Sequence, residues 1–187
     1  MKVELDRKYD VVNMMITMHS ILYQRYKTLD LAFKVMFLVT AIILNVITFM
    51  DFDLIPFIIY DEKNFRIWLN VFTFSVFILS VIFLLIEWQK KSDRHLHAKN
   101  SLTKLQNEIR TLSSRSDSLR TNAEVERLNE YYCTTFESIS VIPERKFNKL
   151  KARHYKKLEM SKFIDKNKGK PYFVIKIKFL YKQFFKN

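Results

Sequence analysis

An uncharged stretch of twenty residues, 67–86, dominates the hydrophobic pattern of the chain and contains neither Gly nor Pro. At about 1.5 Å of rise per residue a helix of this length spans roughly 30 Å, the thickness of a bilayer's hydrocarbon core. A second apolar stretch, 31–50, carries a single charge, Lys34, one turn inside its start. The alternative is a buried helix in a soluble domain, but a chain of fewer than 190 residues hardly supplies enough protein to surround such a helix on every side. The pattern predicts two membrane-spanning helices.

Amphipathic helical spacing flanks the two predicted spans. Apolar or aromatic residues alternate three and four positions apart before the first span and again after the second, which is typical of a coiled-coil seam. The leading segment either runs straight into the first span or lies on the membrane surface, and the second span is expected to continue as one long helix. The seam positions are Leu5, Tyr9, Val12, Ile16, Tyr23 and Tyr26, with His19 in the gap, and then Ala98, Leu102, Leu105, Ile109 and Leu112.

Helix boundaries in the second half follow from its polar and Pro residues. The Ser-rich run 113–122 reads as the turn of a helical hairpin. A further helix begins at Asn122 and ends at Pro143, and a very basic helix follows from Glu144 to about Ile164. The apolar face of the helix that begins at Asn122 comprises Val125, Leu128, Tyr132, Phe136 and Ile139.

The basic, aromatic tail is compatible with two predicted structures, a helix and a strand. With Pro171 in the first turn of a helix, lysines and apolar residues separate onto two faces, as in a helix that lies on an anionic leaflet. Residues 173–179 also alternate as a strand would. The helix is favoured because an isolated strand has no evident partner.

These elements predict an all-α membrane protein. A two-helix transmembrane hairpin carries long helices that extend into a cytoplasmic helical bundle. The predicted regions are a cytoplasmic amphipathic lead helix (1–30), the hairpin (31–86, with spans 31–50 and 67–86 and outside loop 51–66), a cytoplasmic helical domain (87–165) and a basic aromatic tail (166–187). Lys and Arg are abundant before the first span and after the second, and scarce between them, so both termini are expected in the cytoplasm.

Composition argues against catalysis. A single Gly excludes Gly-rich phosphate loops, and one cysteine, Cys133, cannot form an internal disulfide. His95 and His97 lie on nearly opposite sides of a helix, while His19 and His154 are isolated in sequence, so no metal site is expected. No common catalytic motif occurs. We therefore expect no enzyme activity and no cofactor.

Polar residues inside the spans offer a candidate function. Polar groups in hydrocarbon are costly unless they face protein or water, so several copies of the hairpin are expected to surround a water-filled path. Alternatively, the polar stripes only join helices to one another. The candidate pore-lining residues are Asn70, Thr73, Phe77, Ser80 and Glu87 on the second span, with Asn45 and Thr48 on the first.

Charged residues supply two further candidate sites. Asp51 and Asp53 would form an acidic ring at the outer mouth, or belong to an ordinary solvated loop. From Glu87 onward there are 24 Lys and Arg against 11 Asp and Glu. Such an excess suits anionic lipid headgroups or a nucleotide ligand. The candidate ligand-binding residues are Arg145, Lys146, Lys149, Arg153, Lys156 and Lys157.

Four sequence segments occur in a characteristic order. YQRYK (23–27) precedes the predicted hairpin, the predicted helix RHLHAKNSLTKLQNEIRTL follows it, and VERLNEYYCTTFESI and a Pro-Glu-Arg segment (143–145) come next. In this order of parts, from about residue 15 to 165, the chain resembles the SLATT family, two-transmembrane effectors associated with SMODS nucleotidyltransferases and SLOG proteins.

The resemblance implies a bacterial inner-membrane pore that kills or arrests an infected cell under control of a nucleotide signal. The expected partners are further copies of the chain in a homo-tetramer, the lipid bilayer, a nucleotide or oligonucleotide second messenger, and a nucleotidyltransferase encoded nearby. A membrane-anchored nucleotide-binding subunit and a scaffold subunit, neither with a conducting pore, are the alternatives.

Overall fold

The computed structural model describes residues 2–49, 62–115 and 121–184, and within these residues it contains helices and no strand. The six helices, in chain order, are α1 (Lys2–Phe49), α2 (Glu62–Ile86), α3 (Trp88–Ser114), α4 (Asn122–Ser138), α5 (Glu144–Lys166) and α6 (Tyr172–Phe184). The all-helical prediction is therefore confirmed for the described residues, and the strand reading of the tail is wrong.

The described helices divide into two compact units. Unit 1 comprises Met1–Leu22 and Arg94–Asn187, and unit 2 comprises Tyr23–Asp93. Helix α1 runs from Lys2 to Phe49 without a break, so the leading segment continues directly into the first predicted span, the first of its two predicted alternatives.

Unit 1 has a protein core made by one face each of α1, α3 and α4. Leu102, Leu105 and Ile109 of α3 are fully buried beside Leu5 and Val12 of α1. The spacing of three and four therefore identified the buried faces. Because the apolar face of the leading segment is covered by protein, the segment does not lie bare on a membrane surface.

Helix α4 adds its apolar face to the same core. Leu128 is buried, and Val125, Tyr132, Phe136 and Ile139 pack against the cluster. A capping box begins the helix: the Thr121 amide donates to the Glu124 carboxylate at 3.2 Å, and the Thr121 hydroxyl donates to it at 3.1 Å. The helix ends at Ser138, five residues before the predicted end at Pro143, and the intervening residues are not helical.

Helices α5 and α6 form a second packed pair in unit 1. Helix α5 begins at Glu144, as predicted, and runs to Lys166. Gly169 has φ +89, a left-handed conformation that Gly adopts without penalty, so the chain turns tightly before Pro171 opens α6. Ile175 and Phe179 of α6 are buried, and the Phe179 ring lies 5.6 Å from that of Phe163 on α5.

Unit 2 is a pair of apolar helices joined through residues outside the described range. By length and composition two helical segments are apolar enough to cross a bilayer, and none of the most apolar window of either is buried. The two helices touch through aromatic rings: Phe83 lies 4.9 Å from Phe33 and 5.6 Å from Phe37, between ring centroids. These candidate spans suggest a membrane location.

The second span does not continue as one unbroken helix. Glu87 has φ +50, and the helix stops at Ile86 and restarts at Trp88. A non-Gly residue rarely adopts this left-handed conformation, which costs roughly 1–2 kcal/mol for an L-residue. The prediction of a continuous helix is wrong because the break depends on a single backbone angle, which side-chain spacing does not encode.

Candidate functional site

The predicted pore-lining residues of α2 share one exposed stripe. At about 100° per residue, Asn70, Thr73, Phe77 and Ser80 fall within an arc of about 80°. The first three are exposed, whereas Ser80 is half-buried. Glu87, predicted to continue the stripe, instead occupies the break after α2, where its carboxylate pairs with Lys90 at 3.0 Å.

Most polar groups in the spans are satisfied by their own helix. Thr73 donates to the Leu69 carbonyl at 2.8 Å, and Ser80 donates to the Phe77 carbonyl at 2.7 Å. On α1, exposed Asn45 and Thr48 donate to carbonyls one turn earlier, at 2.9 and 2.7 Å. Such bonds remove much of the cost of placing a hydroxyl in hydrocarbon, so the hydroxyls of Thr48, Thr73 and Ser80 need neither water nor a neighbouring helix. The bond of Asn45 uses only one of the two N–H groups of its amide.

Asn70 differs from these residues because its amide makes no hydrogen bond to any residue that the structure describes. An unpaired amide in an apolar medium costs roughly 4–8 kcal/mol relative to water. Among the stripe residues, Asn70 is therefore the one that most needs water or a second protein copy.

The end of unit 2 that carries Lys34 and Gln89 is polar and charged. The Lys34 ammonium lies 2.6 Å from the Asp30 carboxylate and donates to Gln89 at 3.3 Å, so it turns back from the apolar segment toward polar groups. A polar cleft of about 250 Å³ opens here, with Lys27 and Asp93 among its lining residues. It carries charges of both signs and does not select a cation or an anion by charge alone.

The six predicted ligand-binding residues share one face of α5. They fall within an arc of about 120°, and the stretch from Arg145 to Lys157 is about 18 Å long. All are exposed except Lys146, which is half-buried. We call this surface the α5 basic face; it comprises Arg145, Lys146, Lys149, Arg153, Lys156 and Lys157.

The α5 basic face borders the packed side of the same helix, where Leu150 and His154 are buried. Two lysines of this face lower the pKa of two buried histidines. Burial, and then the charge of Lys146, lower the pKa of His95. Burial and then Lys157 lower the pKa of His154, against an opposing effect of Asp10. The sequence predicted that these cations share one face of a helix, but it did not predict that Lys146 and Lys157 lie near buried histidines.

Sequence reasoning missed a buried histidine pair. His19 of α1 and His95 of α3 face each other with their Nδ1 atoms 3.0 Å apart, and both side chains are buried, so His19 is not isolated. Burial, and then the neighbouring His95, lower the pKa of His19 to about 4. The spacing did indicate that both histidines lie on buried helix faces. His19 fills the gap in the α1 seam, and His95 lies three positions before Ala98, the first residue of the α3 seam.

The histidine pair does not amount to a metal centre. No group of three or more His, Cys, Asp or Glu side chains suited to a metal ion occurs among the described residues. One Nδ1–H donating to the other Nδ1 accounts for the 3.0 Å contact when both rings are neutral. The acidic residues predicted at the outer mouth, Asp51 and Asp53, lie outside the described residues.

Comparisons with known proteins add no family to this description. No family model matches the chain, and no match is found among curated proteins or solved structures.

Proposed function

We propose that this chain is one subunit of a homo-oligomeric membrane pore in which the α2 stripe lines a water-filled path. The observation that carries the proposal is Asn70, an exposed and unsatisfied amide on one of two apolar helices, neither of which has a buried residue in its most apolar window. Two helices alone cannot enclose a path through a bilayer. Further copies of the hairpin supply the missing walls, and the unpaired amide then faces water instead of hydrocarbon.

In this proposal the spans lie in the bacterial inner membrane, with both termini in the cytoplasm. Lys and Arg gather at the end of the hairpin that carries the termini, which supports this orientation. The resemblance to the SLATT family supports a role as an anti-phage effector that arrests the infected cell.

Control by a nucleotide is the second part of the proposal. The α5 basic face offers six cations along about 18 Å of helix, and a nucleotide or oligonucleotide presents phosphates at comparable spacing. Such a ligand, made by a partner nucleotidyltransferase, changes pore opening only if it binds the open and closed states with unequal affinity.

A second candidate is a membrane-anchored nucleotide-binding or scaffold subunit without a pore. The hydrogen bonds of Thr73, Ser80 and Thr48 to their own helices favour it, because those hydroxyls are satisfied in lipid without any water. The two candidates differ in one measurable property: only the first requires water at the α2 stripe.

Cysteine accessibility distinguishes them. In full-length protein carrying Cys133→Ser, reconstituted in liposomes, we compare Asn70→Cys and Thr73→Cys with Ser75→Cys. Ser75 is the matched control: it is exposed and bonded to its own helix like Thr73, but lies about 160° around α2 from it. A charged methanethiosulfonate reagent reacts with thiols that contact water.

We expect the reagent to modify Asn70→Cys and Thr73→Cys at least tenfold faster than Ser75→Cys, and to reduce ion flux through the first two variants only. Equal, slow modification of all three, together with no flux from unmodified protein in any condition including added nucleotides, would contradict the pore. A monomeric mass in native-like lipid would contradict it independently.

A further inference from the structure

We propose that α6 docks on the surface of an anionic lipid bilayer through a face that the rest of unit 1 leaves uncovered. We call this surface the α6 apolar face; it comprises Phe173, Val174, Ile177, Leu180 and Tyr181. The inference concerns the tail alone and holds whether or not the hairpin conducts ions.

One side of α6 is already occupied by protein. Ile175 and Phe179 are 4% and 5% exposed, and Phe179 packs against Phe163 of α5. The ammonium of Lys182 lies 5.9 Å from the centre of the Phe163 ring, which adds a cation–π contact at the border of this packing. The helix is therefore held to α5 in a defined rotation about its own axis.

That rotation leaves the α6 apolar face pointing away from α5. Phe173 is 71% exposed, Ile177 50% and Tyr181 65%. At about 100° per residue the five residues of the face cover an arc of about 120°, roughly opposite the buried side. Apolar groups in this number, contiguous along one helix, are characteristic of an interaction surface.

Lysines border the α6 apolar face on both sides. Lys176 lies about 40° beyond one edge, and Lys178 and Lys182 lie about 40° and 80° beyond the other. All three are exposed. From residue 166 to 187 the chain contains seven lysines and no acidic residue. An apolar face between two rows of lysines is the arrangement of helices that lie in a membrane interface.

The charge pattern selects anionic lipid over a second copy of the chain. Two α6 apolar faces packed together would bring their lysine borders close to one another, with no acidic residue in either tail to compensate. A leaflet of anionic lipid offers hydrocarbon to the apolar face and phosphates to both borders. Each lysine held near such a surface strengthens binding by about fivefold.

A fluorescence experiment tests this docking in full-length protein. An environment-sensitive dye is attached at Ile177→Cys in the Cys133→Ser background, and the protein is placed in nanodiscs of phosphatidylcholine alone or with phosphatidylglycerol. Native protein labelled at Cys133, an exposed position on α4, is the control for changes elsewhere in unit 1. Brominated lipids then report direct contact between the dye and the acyl chains.

We expect the dye on the Ile177→Cys variant to brighten and shift to shorter wavelength in anionic nanodiscs only. Brominated lipid should quench it, and high salt should reverse the change. The dye at Cys133 should not respond. Lys176→Glu, Lys178→Glu and Lys182→Glu together should weaken docking at least a hundredfold, whereas Lys104→Glu, Lys151→Glu and Lys162→Glu, the same change in net charge, should have little effect.

Three results would overturn the proposal. The dye on the Ile177→Cys variant could remain in water in both lipids. The dye could leave water equally in both lipids, to an extent that rises with protein concentration, without being quenched by brominated lipid. That result would show that the α6 apolar face binds a second copy of the chain. The two triple variants, checked for unchanged helix content, could weaken docking equally.

Discussion

The two units use apolar side chains in opposite ways. In unit 1 the core residues of α1, α3 and α4 occupy one face of each helix, and Leu102, Leu105 and Ile109 are fully buried by other helices. In unit 2 the helices are apolar around most of their circumference, and Trp68 and Leu84 are 73% and 77% exposed. A helix with one apolar face needs a protein partner, whereas a helix apolar on all sides suits lipid. The same residue types therefore stabilise unit 1 by packing, whereas in unit 2 they form an exposed apolar surface of the kind that suits a bilayer.

Leucine truncation should show the largest difference between the units. Leu105→Ala removes a fully buried side chain from the unit 1 core and should reduce the free energy of unfolding by about 2–5 kcal/mol. Leu84→Ala makes the same chemical change where the side chain is 77% exposed, and its effect should stay below about 1 kcal/mol. Urea unfolding in detergent micelles, followed by helix content, measures both. Equal losses would show that the two leucines have similar surroundings in the micelle.

Acid should destabilise unit 1 through the buried histidine pair. Because the pKa of His19 is lowered to about 4 from 6.5, the unfolded chain binds more protons between these values, and stability falls as the pH drops from 6.5 toward 4. At about 1.4 kcal/mol per pKa unit, His19 alone contributes a loss of roughly 3 kcal/mol. The lowered pKa of His95 acts in the same direction.

Unfolding free energies at pH 7.5, 6, 5 and 4 measure this effect. The control is His19→Gln with His95→Gln, which keeps side chains able to hydrogen bond to each other but cannot titrate. It should lose most of the pH dependence in this window and keep a remainder from His154, whose pKa is also lowered. An unchanged pH dependence in the double variant would contradict the role given to the pair.

Substitution of Glu87, at the break after α2, should produce the smallest change in unfolding free energy. The sign of that change tells whether the helix is broken at this residue. Gly adopts a left-handed backbone without the penalty that Glu87 carries, so Glu87→Gly should raise unfolding free energy by up to about 1 kcal/mol relative to Glu87→Gln. Glu87→Gln is the reference because both changes remove the ion pair to Lys90. If Glu87→Gly proves less stable than Glu87→Gln, the segment is a continuous helix that Gly weakens.

Periodicity explains which features of this chain were predictable. Spacings of three and four located the buried faces of α1, α3 and α4, because helix geometry alone decides which side chains share a face. The same geometry placed the six cations of the α5 basic face together. Contacts between helices did not follow from it: His19 and His95 are 76 positions apart in sequence, and only the packing of α1 on α3 brings their rings together.

The sequence by itself determined an all-helical chain with two apolar segments long enough to span a bilayer, since hydropathy and helical period are properties of neighbouring residues. Tertiary structure decided that the rings of His19 and His95 meet, that the helix breaks at Glu87 in a left-handed conformation, and that α6 is rotated so that Phe173, Ile177 and Tyr181 are exposed. Each of these depends on which surfaces meet across the fold or on one backbone angle, and neither is written in local spacing.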